Sequence, residues 1–501
     1  MNKTISGALG ALLILGLASG CANSGPKVAP QADLVIHGAT LISPEREQPL
    51  AEAWVTIRDG HIDAVGTGEA PAATATLDAE GKFLIPGLID SHVHLAGVPG
   101  FPFNPPPELA PLTAAYETQL PRSYLYFGFT TLIDLNVVDR AALERFRRAP
   151  LAPDLFDCGG ALALANGYPM SFLPPTVGFA LYPNFLWDER DEGAIPEGLE
   201  AADHTPAAAV GRVAEGGGIC IKVHHEDGFG AAKIWPTPPL GMIQKVVEAG
   251  RQRGLPVTIH ANSYESHRFA ADSGADVVVH GLWNWDGLTA PGGELPAEIR
   301  QVLDRHLAAG TGIMPTGQVL QGLRDLFDDG YLDDPRLAAV LPAELLAWYH
   351  RPEAGWFREQ LRRDFDGLPN ETISYLLGNR IDQADRVVRY LAEGGGRLLF
   401  GSDTTSGPTY ANPPGFNGFV EMQGLQRAGV TPRQLLVAAT LANAEAFGID
   451  DRYGSIEAGK VANLLLLTEN PLETAAAYDS LKTILLHGRP LPRDQLRAAP
   501  D

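Results

Sequence analysis

The stretch FLIPGLIDSHVHLAG, Phe83 to Gly97, carries an apolar run through a Pro-Gly pair to an acid, and then to His92 and His94 one residue apart. A short apolar run of this kind reads as a buried strand. Residues i and i+2 of a strand point to the same side, so the two histidines can face one way and grip one metal ion. Alone, a His-X-His pair is a weak signal. Its weight depends on what stands at the ends of the other strands.

Downstream, strands alternate with helices, the pattern of a parallel α/β fold. Candidate strands are Leu84–Asp90, Thr130–Leu135, Leu155–Ala161, Ile219–Val223, Pro256–His260, Asp276–His280, Gly312–Pro315 and Leu398–Ser402. Amphipathic segments such as GMIQKVVEAGRQRG and PAEIRQVLDRHLAAG stand between them. Eight strands with helical crossovers predict a (β/α)8 TIM-type barrel rather than an open sheet, although the seventh rests on GTGIMPT alone. Several of these strands end on a ligand-type residue: GICIKV reaches Lys222, PVTIH ends at His260, ADVVVH at His280, and RLLFGSD at Asp403. A lysine or aspartate ending an apolar strand is costly unless paired or bound to metal. Metal binding therefore explains the set better than unrelated packing does.

Both flanks of this middle are β-rich. ADLVIHGATLIS, AWVTIRDGHIDAVG and the run into KFLIPG on one side, with GSIEAGKVANLLLL and LKTILLHGRPL on the other, predict one small β-sandwich built from both chain ends. The expected organisation is residues 32–84 and 451–490 in the sandwich and 85–450 in the barrel. Three insertions exceed ordinary connections: Gly97 to about Gln119, Asn166 to about Asp203, and Gly317 to about Gly395. They follow strands one, three and seven, which places them on the C-terminal rim as walls or lids. A homo-oligomer contact is the competing reading for the helical third one. The 501 residues are 45% hydrophobic and 20% charged, an ordinary globular balance, and the net charge of −22 argues against a nucleic-acid partner.

Residues 1–20, MNKTISGALGALLILGLASG, have the layout of a secretory signal. Small residues lead to Cys21, which resembles the bacterial lipoprotein signal, whose cysteine is lipidated. Ala18 stands where that signal has leucine. The expectation is an exported protein of the cell envelope or periplasm, touching the membrane only through a lipid on Cys21, with residues 21–31 as tether. Ordinary cleavage is the alternative. Cys158 and Cys220, both in apolar runs, read as buried free thiols.

The order His-X-His, Lys, His, His, Asp, with PGLIDSHVH, GFTTLIDL (Gly128 to Leu135) and GSIEAGKVANLLLL, resembles the amidohydrolase superfamily over residues 32 to 490. HANS and GADVVVHG look closest to its imidazolonepropionase-like and prolidase-like branch. One departure is Asn463, where the family pattern has aspartate. The resemblance implies His92, His94 and Asp403 on a more buried ion, and His260 and His280 on a second. It also implies Lys222 carboxylated by carbon dioxide as a bridge; an unmodified lysine paired with Asp403 is the plainer alternative. Two divalent ions, zinc expected, would hold a bridging hydroxide, with Asp403 as base and then acid. The implied activity is hydrolysis of an amide or peptide bond in a small substrate.

Other residues carry weaker expectations. Tyr264 and His267 fall where related dipeptidases position substrate, but HANS differs from the peptidase form. His224, His225, Glu226 and Asp227 are either substrate or second-layer residues or a solvated loop. Trp235, Trp283 and Trp285 line a pocket or pack, Glu421 sits in a helix after strand eight, and His37, His61 and His487 are structural. The rival functions are a lactone or phosphotriester hydrolase, a mononuclear deaminase that would not need Lys222, and a non-catalytic binding lipoprotein.

Overall fold

Gly87 divides the chain's decisive stretch in two. In the computed structural model, which describes residues 31–190, 195–229 and 235–498, the expected single strand Leu84–Asp90 is a pair. Strand β5 (Phe83–Pro86) belongs to the sheet of the chain ends, and β6 (Leu88–Val93) opens the barrel. A Cβ on Gly87 would run into the Thr130 hydroxyl and lie 3.1 Å from the Asn463 carbonyl oxygen, so only glycine lets the chain cross there. Residues from Ala32 onward form one compact unit.

The ends make one mixed sheet of eight strands. Strands β1 (Ala32–Leu41), β2 (Leu50–Arg58), β3 (His61–Thr67), β4 (Ala73–Asp78) and β5 join β13 (Leu464–Leu467), β14 (Leu481–Leu486) and β15 (Arg489–Pro492). The amide of Ile62 donates to the Lys460 carbonyl at 2.8 Å, and Ala462 donates to Gly60 at 2.9 Å. These bonds bring the β3 edge against the segment leading into β13. The sheet therefore rolls over one core, with Ile36, Val55, Ile57, Leu464 and Leu485 inside. The small β-sandwich expected from both chain ends is thus built with continuous backbone bonding.

The barrel strands after β6 are β7 (Phe129–Asp134), β8 (Asp154–Asp157), β9 (Ile221–His224), β10 (Val257–His260), β11 (Val277–Val279) and β12 (Gly312–Met314). They pair in parallel as two sheets, β6-β7-β8 and β9-β10-β11-β12. Parallel bridges close the ring: Leu162 with Val223, Ile313 with Leu398, and Val93 with Thr404. The eighth position is thus an extended segment, residues 398–404, held by bridges instead of a regular ladder. Alternation fixes the faces. Ile221, Val223, Val257, Ile259 and Val278 pack in the large core that also holds residues of the surrounding helices, such as Val210, Val246 and Ile299. Ile133, Val277, Val279, Met314 and Leu399 form a separate inner core. Lys222 and His224 on β9, and His260 on β10, occupy the inward phase.

Cys158 and Cys220 are not free thiols. They form a disulfide with Cα atoms 4.5 Å apart, joining the chain after β8 to the chain entering β9, within the inner core. Two apolar runs read separately gave no sign that the ring sets them side by side. With the two cysteines 62 positions apart in the chain, the loop-entropy argument gives about 4 kcal/mol of stabilisation. Asn463, the departure from the family pattern, donates to Asp154 at 2.8 Å and accepts from the His487 amide at 2.9 Å. An aspartate there would face Asp154 with like charge. No helix among the described residues is long and apolar enough to cross a membrane.

Candidate active site

The strand ends converge. His94, His92, His280, His260 and His224 form a chain of rings with successive centroid distances of 5.0, 5.5, 4.5 and 5.8 Å. Asp403 Oδ1 lies 3.1 Å from both His92 Nε2 and His94 Nε2, which are 3.2 Å apart. One ligand atom from each of these three residues lies within 4.8 Å of the others. His280 and Asp403 have φ of +83° and +52°, a left-handed backbone that costs energy in non-glycine residues and turns these side chains at the ends of their segments.

Burial makes most of these imidazoles good ligands. It holds His92, His224 and His280 well below the ordinary histidine range and lowers His260, so their rings are neutral. The Nδ1 atoms of His92 and His224 are buried without a hydrogen-bond partner among the described residues. Neutral imidazoles, one carboxylate and orphaned ring nitrogens are the donor chemistry a divalent ion takes. Lys222 is 2% exposed, and burial lowers its amine to about 7 against the opposing pull of Asp403.

An outer layer of hydrogen bonds surrounds the clustered residues. The His280 Nδ1 is 2.7 Å from the Thr316 hydroxyl, and His260 Nε2 is 3.2 Å from Glu226 Oε2. Asp90 accepts from the Ser402 hydroxyl at 2.6 Å and amide at 2.9 Å, tying β6 to the eighth segment. Asp134 accepts from the Leu95 amide at 3.1 Å, just past the His-X-His pair.

The weaker expectations separate here. The Trp235 ring stacks on Tyr168 at 5.9 Å, and Tyr168 lies 4.8 Å from the His260 ring and 5.4 Å from His224. Phe172 and Phe229 complete this aromatic wall, each about half exposed. Trp283 lies 5.1 Å from His280, whereas the Trp285 indole is buried and donates to the Leu282 carbonyl. Tyr264 begins a helix, Tyr264–Ser273, under the Arg268 guanidinium. His267 is fully buried on that helix, 5.4 Å from the His306 ring of the next helix, Ala297–Ala309. It packs between helices instead of joining the ligand cluster.

Glu226 is buried, which removes the solvated-loop reading for it. Glu421 lies in the helix Phe416–Ala428, where its carboxylate accepts from the Gly317 and Gln318 amides at 3.1 and 2.7 Å, beside Thr316. Thr316, Tyr168 and Asn262 had no signal beyond their proximity to strand ends. Cys21 lies outside the described residues. A cleft of about 980 Å³ between the helices Gln318–Asp325 and Asn370–Glu393 is lined by Arg324, Asp382 and Arg386 and includes none of the clustered residues.

Residues 83–284 and 333–489 match the model of the amidohydrolase family, well over half of the chain. Among curated proteins, an adenine deaminase of Deinococcus deserti is 41% identical over 66 residues, 13% of this chain and 12% of that protein. An imidazolonepropionase of Methylobacterium nodulans is 40% identical over 72 residues, 13% of this chain and 18% of that protein. The matched stretches thus span under a fifth of these relatives. A crystal structure of a Xaa-Pro dipeptidase with bound methionine in the active site aligns over 92% of this chain and 99% of its own, at 19% identity and a TM-score of 0.59. That likeness speaks to the fold. The family model, matched in two segments of which the first includes the His-X-His strand, settles the kinship: the chain belongs to the amidohydrolase family.

Proposed function

We propose that this protein is a binuclear metal-dependent hydrolase of a carbon–nitrogen bond, amide or peptide, in a small substrate. The observation that carries the reading is the convergence of His92, His94 and Asp403 within hydrogen-bond distance of one another, beside inward-facing Lys222, His260 and His280. When bound, a pair of divalent ions, zinc by preference, supplies Lewis acidity for the substrate carbonyl and lowers the pKa of the attacking water. His92, His94 and Asp403 would hold one ion, and His260 and His280 the other. An ammonium on Lys222 has the wrong sign for a place between them. Addition of carbon dioxide to its amine, with loss of one proton, gives a carbamate whose anionic oxygens suit a bridge.

Asp403 takes the proton of the attacking water and delivers it to the departing nitrogen, which leaves poorly unless protonated. The wall of Tyr168, Phe172, Phe229 and Trp235 excludes water on one side and favours a compact, partly aromatic substrate. The reading includes export, supported by the layout of residues 1–21 and by the Cys158–Cys220 disulfide, a bond that persists in oxidising compartments.

The test is elemental analysis of purified protein joined to a panel of N-acyl amino acids, dipeptides, cyclic amides, lactones and phosphotriesters. Two ions per chain are expected, with amide turnover abolished by chelation and restored by zinc, manganese or cobalt. Full activity in a metal-free preparation sinks the reading. Turnover confined to lactones or phosphotriesters moves the protein to that rival class.

A further inference from the structure

We infer that Glu226 is a positioning residue that fixes which ring nitrogen of His260 faces the metal, a role resting on the metal-centred reading above. The loop leaving β9 folds back over the end of β10, where the His225 amide donates to the His260 carbonyl at 3.0 Å. This return brings Glu226 into the interior, 6% exposed beside His260 at 4%. Its two oxygens are fully engaged. Oε2 lies 3.2 Å from His260 Nε2 and accepts from Asn262 Nδ2 at 2.9 Å, while Oε1 accepts from the Gly228 amide at 3.0 Å.

A carboxylate oxygen accepts, and the Asn262 amide sits closer to it, at 2.9 Å, than to His260 Nε2, at 3.4 Å, so the His260 nitrogen facing Glu226 carries the proton. The lone pair for a metal is then on Nδ1. His280 is held the opposite way, its Nδ1 against Thr316 and its Nε2 left for the ion. A hydroxyl can donate or accept, so Thr316 alone does not fix a tautomer; Glu226 does. Outer partners of this kind orient ligating histidines and raise their basicity, and their loss typically costs about 10–100-fold in metal affinity. Asn262, on the same carboxylate oxygen, holds Glu226 in register with the ring.

Two measurements test this. In metal-free protein with ¹⁵N-labelled histidine, His260 assigned by its loss in a His260→Asn variant, the ring proton should sit on Nε2 in the wild type and redistribute in Glu226→Ala. In zinc titrations, Glu226→Ala should weaken one of the two ions about 10–100-fold and leave the other at wild-type affinity. Retention of that other ion, with a wild-type melting curve, shows that the fold is intact. Glu226→Gln, whose amide oxygen still accepts, should recover part of the loss.

A proton on Nδ1 in the wild type, or unchanged affinity for both ions in Glu226→Ala, overturns the inference and leaves the metal reading standing. Complete loss of one ion in both Glu226→Ala and Glu226→Gln also overturns it, because Glu226 would then be a ligand itself. A wild type that binds no metal overturns both readings.

Discussion

At the scale of single residues, an ionisable side chain that closes an apolar strand costs free energy unless a partner or an ion holds it. A lysine ending GICIK and an aspartate ending RLLFGSD have no place on apolar strands without a partner, so Lys222 and Asp403 stood out. Glu226 did not, because its burial depends on a loop folding back over a neighbouring strand. His267, with Ser266, Ala270 and Ser273, forms the buried stripe of a helix, a spacing that marks packing. The decisive residue-scale prediction concerns Lys222. Lys222→Ala should bind fewer than two ions and lose several orders of magnitude in rate, and a short carboxylic acid with excess metal should restore part of it. Lys222→Arg should not recover activity, since a fixed positive charge is wrong for a bridge. Elemental analysis with turnover decides, and two ions with near-normal rate in Lys222→Ala would make the lysine structural.

At the scale of elements, the parallel strands and their order around the ring are legible in the sequence, but not which of them form regular ladders. Sequence marks an apolar run but not its hydrogen bonds, so the eighth segment, bridged at Leu398 and Thr404 without a regular ladder, reads like any other strand. The same blindness covers contacts between elements, of which Glu421 is the clearest. Its helix, Phe416–Ala428, presents a buried carboxylate to the start of the helix Gln318–Asp325, capping the two amides beside Thr316. Burial raises Glu421 to about 7, and Asp90 likewise to about 7. At these two carboxyls the folded protein binds more protons than the unfolded chain between the ordinary carboxylate value of about 4.3 and 7, so their contribution to the stability of the metal-free protein falls as pH rises through that window. The buried, neutral His92, His224, His260 and His280 act the other way, because the unfolded chain protonates them below about 6.5. Glu421→Gln removes one carboxyl and should raise stability at pH 7 relative to that at pH 4.3, compared with wild type, by on the order of 3 kcal/mol. Urea unfolding at several pH values measures this, and parallel curves for variant and wild type would show that Glu421 does not titrate there.

At the scale of the whole molecule, the β-rich flanks were visible because alternating runs and an Asp-Gly turn are local signals. Their joining into one unit was visible as well, but not its continuous hydrogen bonding, which rests on pairs such as Ile62 with Lys460, far apart in the chain. The cross-link between Cys158 and Cys220 belongs to this scale too, because closing the ring is what sets the two cysteines together. It bears on where the protein works. A reducing cytosol keeps such a pair as thiols, whereas an oxidising envelope keeps it joined. The first twenty residues argue in the same direction from different physics: Lys3, an apolar stretch to Leu17, and small residues before Cys21. Two independent features thus favour the proposed export, and a lipid on Cys21 is the tether proposed with it. One myristoyl-type chain gives only marginal membrane binding, so firm retention requires more than one acyl chain on the tethered residue. The wild type should therefore sediment with membranes, incorporate a radiolabelled fatty acid, and resist a salt wash that strips charged contacts. Cys21→Ser should lose the label and either appear in the soluble fraction or keep residues 1–20, while its metal content and turnover stay at wild-type values, because the residue lies outside the barrel chemistry. An unlabelled wild type found wholly in the soluble fraction, with the Cys158–Cys220 bond intact, would remove the tether and leave a soluble exported hydrolase.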